Sequence, residues 1–204
     1  MSTQPQQPER GWASQLAMTL GSFALSFVVF AVGFGDWRFG LGFVLLILVH
    51  ELGHVFEARR QGLQVSLPTF IPLFGAYVRV QQAGVAPWRG GLVSLAGPFV
   101  GGLAAAAVWA VGSAQDSHWL VELAYIGFLL NAGTLLPVGF LDGGAVFRSI
   151  RETWQRPSIR YENGIPVEAQ APDHEKAVLV AVLYGLVGAA LLACVLITRN
   201  SAML

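Results

Sequence analysis

Residues 37–60 read WRFGLGFVLLILVHELGHVFEARR. From Trp37 to Ala58 the stretch has the length and apolarity of a helix that crosses a bilayer, which needs about 20 such residues, and Arg59 and Arg60 close it as basic residues close a span at the water interface. Its latter part holds three ionisable side chains, His50, Glu51 and His54. A charge at the centre of a span costs about 2.5 kcal/mol or more on insertion scales, so three such groups together read as a functional cluster, with packing alone the lesser reading. His50 and His54 are four apart and project from one face of a helix, with Glu51 beside them. Two imidazoles at that spacing suit one metal ion. H-E-x-x-H is the zinc-protease pattern, in which the carboxylate serves as base toward the water that Zn²⁺ activates.

The rest of the chain has the same apolar character. Of its 204 residues 54% are hydrophobic and only 12% charged, about half the charged fraction of an ordinary soluble domain. The apolar residues lie in long blocks, with candidate spans at 12–32, 37–58, 91–111, 119–140 and 177–198, and Trp12, Trp37, Trp88 and Trp119 stand at their ends as an interfacial belt. Between the second and third spans, GLQVSLPTFIPLFGAYVRV is apolar but broken by Pro68, Pro72 and Gly75, so it reads as a hairpin or re-entrant element packed against the bundle. The fold class expected is therefore an all-α polytopic membrane protein of about five transmembrane helices, with a short membrane-associated β-hairpin or re-entrant element after the second. The chain divides into a disordered tail (1–11), a membrane core with the zinc site (12–147), a cytoplasmic linker (148–176) and a C-terminal transmembrane helix (177–204). The tail MSTQPQQPER is polar, and no signal-peptide cleavage site follows it, so the first helix is expected to be retained. No internal repeat is evident. The single Cys194 can form no intrachain disulfide, and a formal net charge of zero gives no reason to expect a nucleic-acid partner.

Ten of the twelve basic residues fall in the tail, in 59–89 or in 148–176, which places those segments on one side, the cytoplasmic one. The N-terminus is then inside and the C-terminus outside. The expected location is a multi-pass protein of the cell (inner) membrane, with the lipid bilayer as its surroundings and the site near the cytoplasmic side.

A catalytic zinc site requires a third protein ligand and an open position. Asp142 in LLPVGFLDGG is the natural choice: it follows an apolar segment that Pro137 kinks or ends, and two glycines after it let the backbone pass close by. Glu122 sits near the opposite membrane face, and Glu57 reads as a solvated partner of Arg59 or Arg60 rather than a contact to a ligand histidine. His118 and His174, in polar loops, receive no role.

HELGH at 50–54, LDGG at 141–144 and the interposed FIPLFGAYVRV and SLAGPFVGG occur in the order found in the site-2 protease family of intramembrane zinc metalloproteases, which this chain resembles over most of 37–147. The resemblance implies three helices around the metal, with His50, His54 and Asp142 as ligands, Glu51 as catalytic base and transmembrane protein segments as substrates, cleaved in regulated intramembrane proteolysis. It also brings out two departures. Where the family usually carries an Asn, eight residues before the Asp, this chain has Thr134, while Asn131 lies one turn earlier; either Asn131 or Thr134 is the candidate to stabilise the oxyanion. No peptide-binding domain is inserted between the spans, and Gly75-Ala76 replaces a common glycine pair.

Two smaller features complete the reading. Gly97-x-x-x-Gly101 is expected to let helices approach closely, with Pro98 bending its own, and an extended strand within 65–80 can pair with an unwound substrate through main-chain hydrogen bonds. A catalytically silent relative and a metal transporter are the alternatives. Intact Glu51 speaks against the first and the lack of a second set of intramembrane ligands against the second.

Overall fold

The apolar runs at 12–32, 37–58, 91–111 and 177–198 each lie within a single helix. The computed structural model describes residues 12–71, 75–80, 85–155, 158–162, 165–170 and 172–202; the 1–11 tail lies outside them. Among the described residues the order is α1 (Trp12–Phe34), α2 (Trp37–Arg60), β1 (Thr69–Ile71), β2 (Gly75–Tyr77), α3 (Pro87–Ala114), α4 (His118–Thr134), α5 (Asp142–Gln155), β3 (Ser158–Glu162), β4 (Ile165–Gln170) and α6 (His174–Ala202). Gly35 takes a positive φ between α1 and α2, and the Asp36 carboxylate caps α2 by accepting from the Arg38 backbone N–H at 2.8 Å. Pro87 opens α3, where its missing N–H has no intrahelical partner to lose.

The protein is an all-α integral membrane protein. Ala13–Phe34, Trp37–Arg60, Pro87–Ala114 and His174–Arg199 are long and apolar enough to cross a bilayer. Helix α3 is central and touches α2, α4, α5 and α6. Phe128 of α4, Val146 of α5, and Val180 and Leu191 of α6 pack against its Leu95 and Ala105, while Phe43, Leu46 and Ile47 of α2 pack with Leu123 and Phe70. The outer faces of α1 and α6 leave Leu20, Val32, Leu186 and Leu196 exposed, apolar surface that suits lipid.

The fourth crossing differs from the expected continuous span over 119–140. Helix α4 is 17 residues long, about 25 Å, and stops at Thr134. Pro137 cannot continue a helix, and two tight turns follow, with Val138 N–H donating to Leu136 O (2.7 Å) and Leu141 N–H to Val138 O (2.9 Å). Helix α5 then starts at Asp142 and runs on, so one crossing is built from two helices broken within the bundle. The 148–176 stretch contains the second half of α5 and the antiparallel β3–β4 hairpin.

The expected hairpin after α2 is present. β1 pairs antiparallel with β2, and Val65 bridges Val80. Its polar backbone is answered from α1: Thr19 Oγ1 donates to Pro68 O (2.6 Å) and Ser22 Oγ accepts from Phe70 N–H (3.1 Å). Those partners lie about 10–15 Å along α1 from its start, so the hairpin enters the bundle rather than resting on its surface.

Candidate metal centre

Helix α2 delivers His50 and His54 one turn apart, and the first residue of α5 delivers Asp142 between them. His50 Nε2 lies 3.2 Å from Asp142 Oδ2, His54 Nε2 lies 3.3 Å from Asp142 Oδ1, and the two Nε2 atoms are 3.2 Å apart. The three ligand atoms all fall within 4.8 Å of one another. Both imidazoles and Glu51 are buried.

The far side of each ring decides what this cluster can hold. His50 Nδ1 faces Asn131 Oδ1 at 2.8 Å, and His54 Nδ1 faces the Val93 carbonyl at 2.8 Å. The amide orientation of Asn131 follows from its other end, because Nδ2 donates to Gly127 O at 2.7 Å and so turns the oxygen toward His50. Each Nδ1 thus meets an acceptor and carries the proton, leaving each Nε2 a lone pair. Two imidazole lone pairs and a carboxylate then converge with no proton between them, an arrangement that a cation satisfies. Two nitrogens and one oxygen are a donor set that fits Zn²⁺ and leaves a fourth position for water.

Two glycines of α3 make the approach possible. A Cβ on Gly97 would run into the His54 ring, and one on Gly101 into the Asn131 side chain. The spacing read as a helix-packing motif therefore seats α3 against a ligand of α2 and against the residue of α4 that holds the other ligand. Helix α3 continues unbroken through Pro98.

A cavity of ≈ 470 Å³ opens onto the cluster. His50, Glu51, His54, Asp142 and Thr134 line it, facing Ala76, Tyr77 and Val78 of the hairpin and Phe140 of the α4–α5 turn. Val93 is six residues into α3 and His54 six residues from the end of α2, so the cluster sits about 9 Å inward from those helix ends.

The structure separates the two oxyanion candidates. Asn131 is 0% exposed with both ends of its amide engaged, behind His50. Thr134 lines the cavity, with its hydroxyl donating to Asn131 O at 3.0 Å. Glu57 lies outside the cluster and takes Arg60 in a two-pronged pair at 2.7 and 2.8 Å. The Val93 carbonyl has no counterpart in the sequence reading, because a main-chain acceptor leaves no mark on residue type.

Comparison with known proteins agrees with this geometry. The sequence model of peptidase family M50 matches residues 38–117, the stretch from the start of α2 to the end of α3. Over that stretch the chain is similar to peptidase family M50. It is 32% identical over 128 residues to sll0528 of Synechocystis sp., a protein named as a zinc metalloprotease, covering 58% of this chain and 33% of that protein. It is 29% identical over 152 residues to chloroplastic EGY1 of Arabidopsis thaliana, also named as a zinc metalloprotease, covering 50% of this chain and 27% of that one. The chain thus spans a third or less of the length of these curated relatives. No solved structure matches it.

Proposed function

We propose that this chain belongs to the site-2 protease family and is an intramembrane zinc metalloprotease that hydrolyses peptide bonds in or near transmembrane segments of membrane-anchored proteins. The observation that carries the reading is the convergence of two Nε2 lone pairs and the Asp142 carboxylate on one point, beside the buried Glu51, at the mouth of a cavity walled by a strand. His50, His54 and Asp142 would hold Zn²⁺, which when bound supplies an activated water and polarises the scissile carbonyl.

The chain's own residues do the rest. Glu51 takes the proton of the attacking water and passes it to the leaving amide nitrogen. Asn131 and the Val93 carbonyl fix the tautomer and orientation of the two histidines. Thr134, on the cavity wall, would meet the developing oxyanion by turning its hydroxyl away from the Asn131 carbonyl. A peptide bond inside a helix is shielded from attack, so the substrate is unwound locally and lies along β2, whose Ala76 and Tyr77 line the cavity. The positive-inside distribution supports a cytoplasmic mouth in a cell (inner) membrane, and the division into a tail, a core (12–147), a linker (148–176) and a last helix belongs to the same reading.

The test is cleavage of a single-span model substrate in detergent or proteoliposomes by wild type, by wild type with chelator and by Glu51→Gln. The expected result is cleavage by the first alone, with metal retained in the mutant. Cleavage that survives both chelator and the Glu51→Gln change would defeat the proposal.

A further inference from the structure

Helix α5 carries more than the third metal ligand. Val146, Ser149 and Thr153 are buried against the bundle, whereas Phe147, Arg148, Arg151 and Trp154, spaced by three and four, form one strip on the opposite face. Phe147 is 56% and Trp154 48% exposed, and both arginines are exposed. Glu152 lies half-buried at the flank of the strip.

Hydrogen bonds set the level of this strip in the membrane. Asp142 meets His54, which bonds Val93 of α3, while Ser149 Oγ donates to Pro87 O at the first residue of α3 (2.7 Å). Asp173 N–H, just before α6, donates to Thr153 O (3.2 Å). Helix α5 therefore runs antiparallel to the first turns of α3 and reaches, about 10 Å from Asp142, the level where α3 and α6 begin. Arg148, Arg151 and Trp154 stand where apolar spans give way to water, with Phe147 just inside. At the same level Lys176 lies over the Trp88 ring (5.5 Å) and Trp154 meets His174 edge-on (4.4 Å). Toward the membrane interior the exposed Leu136, Val138 and Phe140 continue the apolar surface.

We propose that this face of α5 is a binding site for an anionic phospholipid. Arg148 and Arg151 take the phosphate-bearing headgroup, Phe147 takes the upper part of the acyl chains, and Trp154 packs against the lipid at headgroup level. The charge pattern selects this occupant: two arginines bordered by aromatics at headgroup depth complement a negative headgroup on an apolar tail, and anionic lipid attracts each such cation at the surface. Arg148 also gives one N–H to Gly139 O (2.7 Å), in the turn that leads to Asp142. Bound lipid would therefore hold both α5 and the turn that presents the third ligand.

The experiment is native mass spectrometry of the full chain in detergent with equimolar phosphatidylglycerol and phosphatidylcholine, which reads binding without reference to proteolysis. Wild type should prefer phosphatidylglycerol. Arg151→Gln should lower that preference about five-fold, and Arg148→Gln/Arg151→Gln about 25-fold, from the usual contribution of a surface cation. Arg59→Gln, an exposed basic residue at the end of α2, should leave it unchanged. Trp154→Ala should weaken retention of both lipids. Arg151→Gln alone keeps the test decisive if the double variant fails to fold. Equal binding of the two lipids by wild type overturns the proposal. So does an Arg59→Gln effect as large as that of Arg151→Gln, or displacement of the lipid by millimolar inorganic phosphate, which lacks the acyl chains that Phe147 holds.

Discussion

Replacing Asn131 by Ala separates support of a ligand from direct stabilisation of the reaction. The substitution removes the acceptor 2.8 Å from His50 Nδ1 and the donor 2.7 Å from Gly127 O, at a site with no exposed surface. The buried His50 N–H then has no partner, a loss of about 1–3 kcal/mol. The part that falls on the metal corresponds to a 10- to 100-fold drop in affinity, the usual scale when a partner of a ligand histidine is removed. The remainder falls on the fold, at about 2–4 °C of melting temperature per kcal/mol for a chain of this size. Zinc affinity is measured by competition with a chromophoric chelator in detergent, and melting by circular dichroism on the same samples. If Asn131 instead faced the oxyanion, zinc affinity would be unchanged and kcat alone would fall. Wild-type zinc affinity in Asn131→Ala would therefore refute the orienting role.

Thr134→Ala is expected to show the reverse pattern, with zinc content intact and kcat reduced about 10- to 100-fold as the cavity loses its hydroxyl; an unchanged kcat would leave the metal alone to steady the intermediate. Gly97→Ala should cost both metal and stability, by about 1–3 kcal/mol, because the added Cβ meets the His54 ring, and a variant that binds zinc normally would contradict the packing of α3 against α2. Glu51→Gln should keep its metal and lose at least about 100-fold in turnover, as expected for a missing general base. In a Cys194→Ser background, cysteines at Gln64 and Gln155 should react with membrane-impermeant reagents from the cytoplasmic side only and one at Asp116 from the other side; the opposite labelling would invert the orientation.

Much of this protein is written in residue type and spacing. A bilayer demands runs of apolar residues with every backbone group paired, and that demand alone marks the helices and the interrupted segment that becomes β1 and β2. The four-residue interval of His50 and His54 fixes a shared face, and the cost of three ionisable groups inside a span singles out the cluster before any fold is known. Distance along the chain, by contrast, says nothing about what meets across it. Asn131 is 81 residues from His50, and only the packing of α4 behind α2 turns its oxygen onto that ring rather than into the cavity. Gly97 and Gly101 announce a close approach but not that a metal ligand and its support fill the two gaps. Pro137 predicts a break, yet how far the chain turns before α5 begins, and so where Asp142 arrives, depends on helices α3 and α6 that it packs against. A carbonyl such as that of Val93 carries no signature at all, because every residue has one and only tertiary structure decides which of them a histidine finds.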